Sequence, residues 1–139
     1  MLNLPVSTLL TGFLFCTSFY YPPVKTTFEI KNRGFNLHVQ DNYAGYTALS
    51  INFKRKFVGL FIEQAKNKRA QDLYINFLSL SGMLTPYTGA VGHHLIDGMN
   101  VWLCKQYREK QTMGIIVADF VDIDEGDIIK TVVNSNNFV

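Results

Sequence analysis

The chain has 139 residues, of which 47 % are apolar and 17 % charged, with a formal net charge of +2. That composition fits one globular domain with a single core and excludes a disordered chain. The charge is too small to point to nucleic acid, and two cysteines, Cys16 and Cys104, make neither a disulfide framework nor a metal-binding spacing.

The N-terminal stretch "LNLPVSTLLTGFLFCTSFYYPP" is apolar and carries no charge before Lys25. It has the look of a signal-peptide core, but no basic segment precedes it and no small-x-small cleavage site follows. Pro5, Ser7, Thr8, Thr11 and Gly12 interrupt it, which argues against a membrane span. Residues 1–25 are therefore read as an apolar strand or loop facing a core, and residues 26–139 as the remainder of the domain.

From residue 26 the pattern becomes regular. "TTFEI" reads as a short strand and "KNRG" as a turn. "FNLHVQD" alternates, with Phe35, Leu37, Val39 and Asp41 on one face. After the loop "NYAGY", "NFKRKFVGLFIEQAKNKRA" predicts a helix over about residues 51–69, with Phe53, Phe57, Leu60, Phe61 and Ala65 as its apolar stripe. Lys66, Lys68 and Arg69 fall in its last turn, where cations suit the dipole; they read as a solvated helix end, not a phosphate site.

"DLYINFLSLSG", residues 72–82, predicts a second strand, nearly continuous in apolar residues as strands covered on both faces are. "MLTPYTGAVG" reads as a loop. "HHLIDGMNVWLCKQYREK" predicts a second helix, with Leu95, Met99, Trp102 and Leu103 on one side. "MGIIVADF" is a third strand, and "DEGDIIKTVVNSN" a short closing helix whose apolar residues are Ile128, Ile129, Val132 and Val133. Strand and helix alternate from residue 35 onward, which predicts parallel strands joined by helical crossovers: a small open sheet or part of an α/β barrel.

In such folds function gathers at the C-terminal ends of the strands. Asp41 ends the first strong strand and Asp119 the third, each on the parity of the apolar residues before it, Leu37 and Val39 or Ile115 and Val117. The plainer reading of an aspartate after a strand is a helix N-cap. Asp122, Asp124 and Glu125, just ahead of the last helix, suit that role better still. His93 and His94 are adjacent and belong to the predicted helix entry, where their side chains diverge by about 100°. His38 lies on the face opposite Asp41. Nucleophile elbow, phosphate-cradling glycine loop and H-E-x-x-H are all missing.

Three segments in order, "LHVQDNYAGY", "DLYINFLSLSG" and "MGIIVADFVD" followed by "IIKTVVNSNNF", resemble the C-terminal half of bacterial, single-domain phosphatidylinositol-specific phospholipase C, the X-domain barrel family. The resemblance runs from about residue 26 to residue 139. It implies the C-terminal half of an irregular TIM-type (β/α) barrel with parallel strands. It also implies a phosphodiesterase that acts on phosphatidylinositol, or a related inositol phospholipid, at a membrane surface. The family releases diacylglycerol and a cyclic inositol phosphate. Two histidines act as general base and general acid, and an arginine stabilises the phosphate charge. No cofactor is implied, and no calcium-loop pattern occurs. Location would be secreted or peripheral at a membrane.

Residue by residue, the resemblance matches Asp119 to the aspartate that hydrogen-bonds the general-base histidine. It matches Asp41 to the aspartate that binds inositol hydroxyls, and Tyr43 to the aromatic residue packed on the inositol ring. The two histidines and the arginines have no counterpart; His38, His93 and His94 lie in other elements. The expectation is thus a phospholipase C-like fragment that is inactive alone. The alternative is a non-catalytic barrel remnant binding an inositol lipid or a protein. A glycerophosphodiester phosphodiesterase is less well matched, because its metal-binding acids have no equivalent.

Overall fold

A computed structural model describes residues 27–45, 48–123 and 127–135. The apolar N-terminal segment, Cys16, Asp124 and Glu125 lie outside the described residues. The main sheet has four strands in the order β1 (Thr27–Lys31), β2 (Asn36–Gln40), β4 (Asp72–Phe77), β8 (Ile115–Val117). β1 and β2 form an antiparallel hairpin across the Asn32–Phe35 turn, where the Asn32 amide donates to the Phe35 carbonyl at 3.0 Å. β2, β4 and β8 are mutually parallel, Gln40 opposite Asn76 and Phe77 opposite Val117. The chain is thus mixed α/β with a parallel sheet, as the alternation of elements predicts. β1 is the departure: a four-residue turn leaves no room for a crossover, so its strand must run antiparallel.

Between β2 and β4 lies α1 (Ala48–Lys66), preceded by the two-residue strand β3 (Ala44–Gly45). β3 pairs in parallel with β5 (Ser81–Gly82), so the predicted strand over 72–82 is two pieces separated at residues 78–80. Helices α3 (Met99–Gln106) and α4 (Asp127–Ser135) follow. These helices share one core, built on Ile51, Val58, Ile62, Leu78, Leu80, Met99, Leu103, Tyr107, Met113 and Ile128, with Ile116 and Val132 packed against it.

The core corrects the expected face of α1. Phe61 and Ala65 are buried, against Tyr74, but Phe53, Phe57 and Leu60 are 51 %, 40 % and 60 % exposed. The buried stripe is Ile51, Lys54, Val58, Phe61, Ile62 and Ala65. Both stripes recur at helical spacing, and the aromatic one is the outer one.

Two predicted elements also change. Thr85–Pro86 opens a short helix, α2 (Pro86–Val91), inside the stretch read as loop: the Thr85 hydroxyl accepts from the Thr88 amide, and proline stands at the first helical position. His93 and His94 are not at a helix entry. Gly92–His93 (β6) and Ile96–Asp97 (β7) form a small hairpin with His94 and Leu95 at its tip, and Leu95 is 93 % exposed. Gly92 has φ +103°, and a Cβ there would meet the backbone of Asp97 at 2.8 Å. The backbones on either side approach so closely that only glycine fits, and the helix cannot start before Met99.

The sheet has two unlike faces. Asn36, His38 and Gln40 of β2 alternate with Leu37 and Val39, and Asp72, Tyr74 and Asn76 of β4 alternate with Leu73, Ile75 and Phe77. The first set faces α1: Tyr74 packs edge-on against Phe61, and the Asn76 amide donates to the Val58 carbonyl at 3.1 Å. The second set, with Ile115 and Val117, is the apolar face away from that helix.

Candidate functional site

The parallel register brings Asp41 and Asp119 to one edge of the sheet. Asp41 directly follows Gln40, and so stands level with Phe77, which pairs with Val117; Asp119 lies two residues beyond Val117. With strands about 4.8 Å apart and about 3.3 Å per residue, the two Cα atoms are roughly 10–12 Å apart. Tyr43, 51 % exposed, is on the Asp41 side.

The segment carrying Asp41 and Tyr43 is tied on two sides. The Ser81 amide donates to the Tyr43 carbonyl at 2.8 Å. On the other side stands Lys54, which is 1 % exposed and donates from Nζ to the Asn42 carbonyl at 2.5 Å. With the Gln40 amide turned so that its oxygen meets donors, that oxygen accepts from Lys54 Nζ at 3.2 Å and from the Asn42 amide at 3.1 Å. Its nitrogen donates to the Phe77 carbonyl at 3.0 Å and to Asn76 Oδ1 at 2.8 Å. Burial lowers the Lys54 pKa to about 7, and the nearby Asp41 charge offsets part of that fall.

On the other rim, the chain bends as it leaves β8. Phe120 takes φ +53°, in the left-handed region that a bulky residue rarely adopts. Asn100 of α3 donates from Nδ2 to the Asp119 carbonyl at 2.8 Å, and its Oδ1 is buried without a hydrogen-bond partner.

The histidines stand elsewhere. His38 is in β2 on the α1 side, stacked on Tyr74 with ring centroids 4.5 Å apart, its Nε2 3.6 Å from Asp72 Oδ1. Hydrogen bonds from Arg69, then from Asn36, hold the Asp72 carboxyl well below the usual range. Arg69, read as part of a solvated helix end, is thus bound to a carboxylate at the opposite end of the sheet from Asp41. His93 and His94 pack edge to face at 4.7 Å in the hairpin, beside Arg55 and Asp97. Asp122 lies in the turn after β8. Among the described residues, no three His, Cys, Asp or Glu side chains group to hold a metal ion, and no helix is long and apolar enough to cross a membrane.

No family model and no curated protein matches the sequence. Solved structures do. A pentafluorophenylalanine-containing variant of phosphatidylinositol-specific phospholipase C from Staphylococcus aureus is 26 % identical, with a TM-score of 0.67. The match covers 84 % of this chain and 39 % of that one. A second variant of the same protein matches at 27 % identity and a TM-score of 0.66, over 84 % of this chain and 40 % of that one. The fold resembles that of phosphatidylinositol-specific phospholipase C. This chain spans about two fifths of the length of the phospholipase C chains it matches. The similarity was legible in the three motifs; their polar supports were not. Gln40 and Asn76 lie inside the quoted motifs as apparent strand residues, and Asn100 inside an apparent helix face. For Lys54, the available signal was a lysine on the i, i+3, i+4 pattern of Ile51, Val58 and Ile62.

Proposed function

We propose that the chain is the C-terminal part of a phosphatidylinositol-specific phospholipase C-type barrel, and that the Asp41–Asp119 edge is its inositol-binding mouth. In this reading Asp41 accepts hydrogen bonds from inositol hydroxyls and Tyr43 offers its half-exposed ring to the inositol face. Asp119 orients a general-base histidine and stabilises its protonated form. The observation that carries the reading is the placing of Asp41 and Asp119 at the same ends of parallel strands, in a chain similar over 84 % of its length to that phospholipase C. An apolar sheet face away from α1 fits the lining of a barrel.

The chemistry assigned to the complete barrel is in-line attack of the inositol 2-hydroxyl on phosphorus, with diacylglycerol leaving. None of His38, His93 and His94 stands at this edge, so the described residues supply binding and orientation, not proton transfer. The test is release of cyclic inositol phosphate from labelled phosphatidylinositol. The 139-residue chain alone is expected to give none. Joined to the N-terminal half of an active relative, it should turn over. There Asp119→Asn should lower the rate by roughly 10²–10⁴-fold, the usual worth of an acid-base group. Asp41→Ala should chiefly raise KM. Turnover by the unassisted chain that is lost in His93→Ala or His94→Ala would refute the assignment.

A further inference from the structure

We infer that Lys54 is a positioning residue for the candidate site: its buried ammonium group fixes the Asp41–Tyr43 segment to helix α1. The inference rests on the proposed inositol-binding mouth and extends it to a residue that touches no substrate. A lysine on the buried face of a helix is rare unless its charge is met. Here three features converge on it. Its Nζ donates to the carbonyl of Asn42, the residue between Asp41 and Tyr43. It donates also to the Gln40 oxygen, which itself receives the Asn42 amide. Through Asn76, the same network closes back onto the Val58 carbonyl, one turn along α1 from Lys54. Lys54 and the Val58 carbonyl tie this network to the helix, while Gln40 ties the end of β2 to Asn76 and Phe77 of β4.

The charged group bearing on Lys54 is Asp41, at the end of β2. Gln40 of β2, the Asn42 carbonyl and Asn76 of β4 are neutral polar groups. Arg55, the next residue on α1, donates to the Asp97 carbonyl, in the hairpin beside His93 and His94. Asp41 thus has two parts in this reading: it belongs to the proposed mouth, and its charge favours the protonated lysine behind the loop. The amine acts as a fixed donor in a water-poor place, where a hydrogen bond to a charged group is worth more than at the surface.

The test uses the full chain, labelled with 15N and with 13C at lysine Cε. In the parent chain, the amides of Asp41, Asn42 and Tyr43 should move together with the Lys54 Cε signal in one titration near pH 7. Asp41→Asn should shift that midpoint downward, since it removes the charge that favours the ammonium. Lys54→Met should abolish the loop titration and speed hydrogen exchange at the Asn42 and Ser81 amides by about tenfold, the equivalent of one charge-assisted hydrogen bond. The amides of Tyr74 and Ile75 should keep their positions and protection, which a general loss of packing would not allow. If Lys54→Met fails to fold, the parent and Asp41→Asn titrations decide alone. Loop amides that ignore both pH and the substitution, in a chain with an intact sheet, would overturn the inference. Added myo-inositol separates the two readings. Loop amides that titrate with Lys54 but never respond to inositol would keep the positioning role and reject the inositol-binding mouth.

Discussion

Lys54 makes the stability of this fold depend on pH in an unusual direction. The ammonium has a pKa of about 7 in the folded chain, against an ordinary value of 10.5. Below pH 7 both states hold the proton, and the folded state bears the full cost of burying it. Between pH 7 and the ordinary value the unfolded chain still binds the proton and the folded chain has released it. Stability must therefore rise with pH across that window. Each pH unit adds about 1.4 kcal/mol, so from pH 7 to about pH 9.5 the gain is about 3 kcal/mol. Tyr74 and Tyr107, whose burial raises their pKa, work the other way as the unfolded phenols begin to ionise, which is why the window stops there. Urea unfolding of the parent and of Lys54→Met at several pH values isolates the lysine, because every other titration cancels in the difference. The parent's gain relative to the variant should approach 3 kcal/mol. A difference that stays flat from pH 7 to pH 9.5 would mean that Lys54 keeps an ordinary pKa, and the dry environment argued for it would be wrong.

Ile62→Ala, at a fully buried position, should cost about 2–5 kcal/mol in urea unfolding. Phe53→Ala on the outer stripe of the same helix should cost under about 1 kcal/mol; equal costs would reverse the two faces. Gly114→Ala should destabilise by at least about 1–2 kcal/mol, the cost of a left-handed alanine, because Gly114 has φ +75° and a Cβ there would lie 2.7 Å from the Tyr74 carbonyl oxygen. Unchanged stability of that variant would refute the close approach of β8 to β4. The apolar face, with Ile115 44 % exposed, should drive concentration-dependent association in sedimentation, reduced by Ile115→Lys; a monomer at every concentration would contradict it.

The parallel sheet was legible because strand and helix alternate, and the motifs "VQD" and "ADF" mark where strands stop. What stayed hidden depends on comparisons a linear pattern cannot make. α1 is apolar on more than one side, so two stripes satisfy the same period, and the phenylalanines favoured the wrong one. Only the buried partners of Lys54 reveal why a lysine occupies the inner stripe. In sequence the histidine pair reads as the start of a helix because the apolar pattern runs on through Leu95 and Ile96. Gly92 and Gly98 break it for a reason of backbone proximity, which sequence does not display. For the candidate site, strand ends single out Asp41 and Asp119, and the family resemblance adds Tyr43. Gln40, Asn76 and Asn100 act mainly through hydrogen bonds to groups far away in sequence, and no local spacing announces such bonds.

The order of strands in the sheet bears on how the Asp41 and Asp119 ends are held. β1, β2, β4 and β8 neighbour one another in the order in which the chain presents them. The β1–β2 hairpin closes over a few residues, and β4 joins after one helix. Only that hairpin is local: β2 pairs Asn36 with Asp72 and β4 pairs Ile75 with Ile115, spans of 36 and 40 residues, so the two parallel pairings close loops of similar length. Gln40, Asn76 and Lys54 lie on β2, β4 and α1, so the hydrogen bonds they make beside Asp41 use no residue of β8. Asp119 follows β8, which enters the sheet at Gly114 against Tyr74 and leaves it at a bend bound by Asn100. The ends of the strands that carry Asp41 and Asp119 are thus held by two different sets of hydrogen bonds, one centred on Lys54 and Gln40 and the other on Asn100.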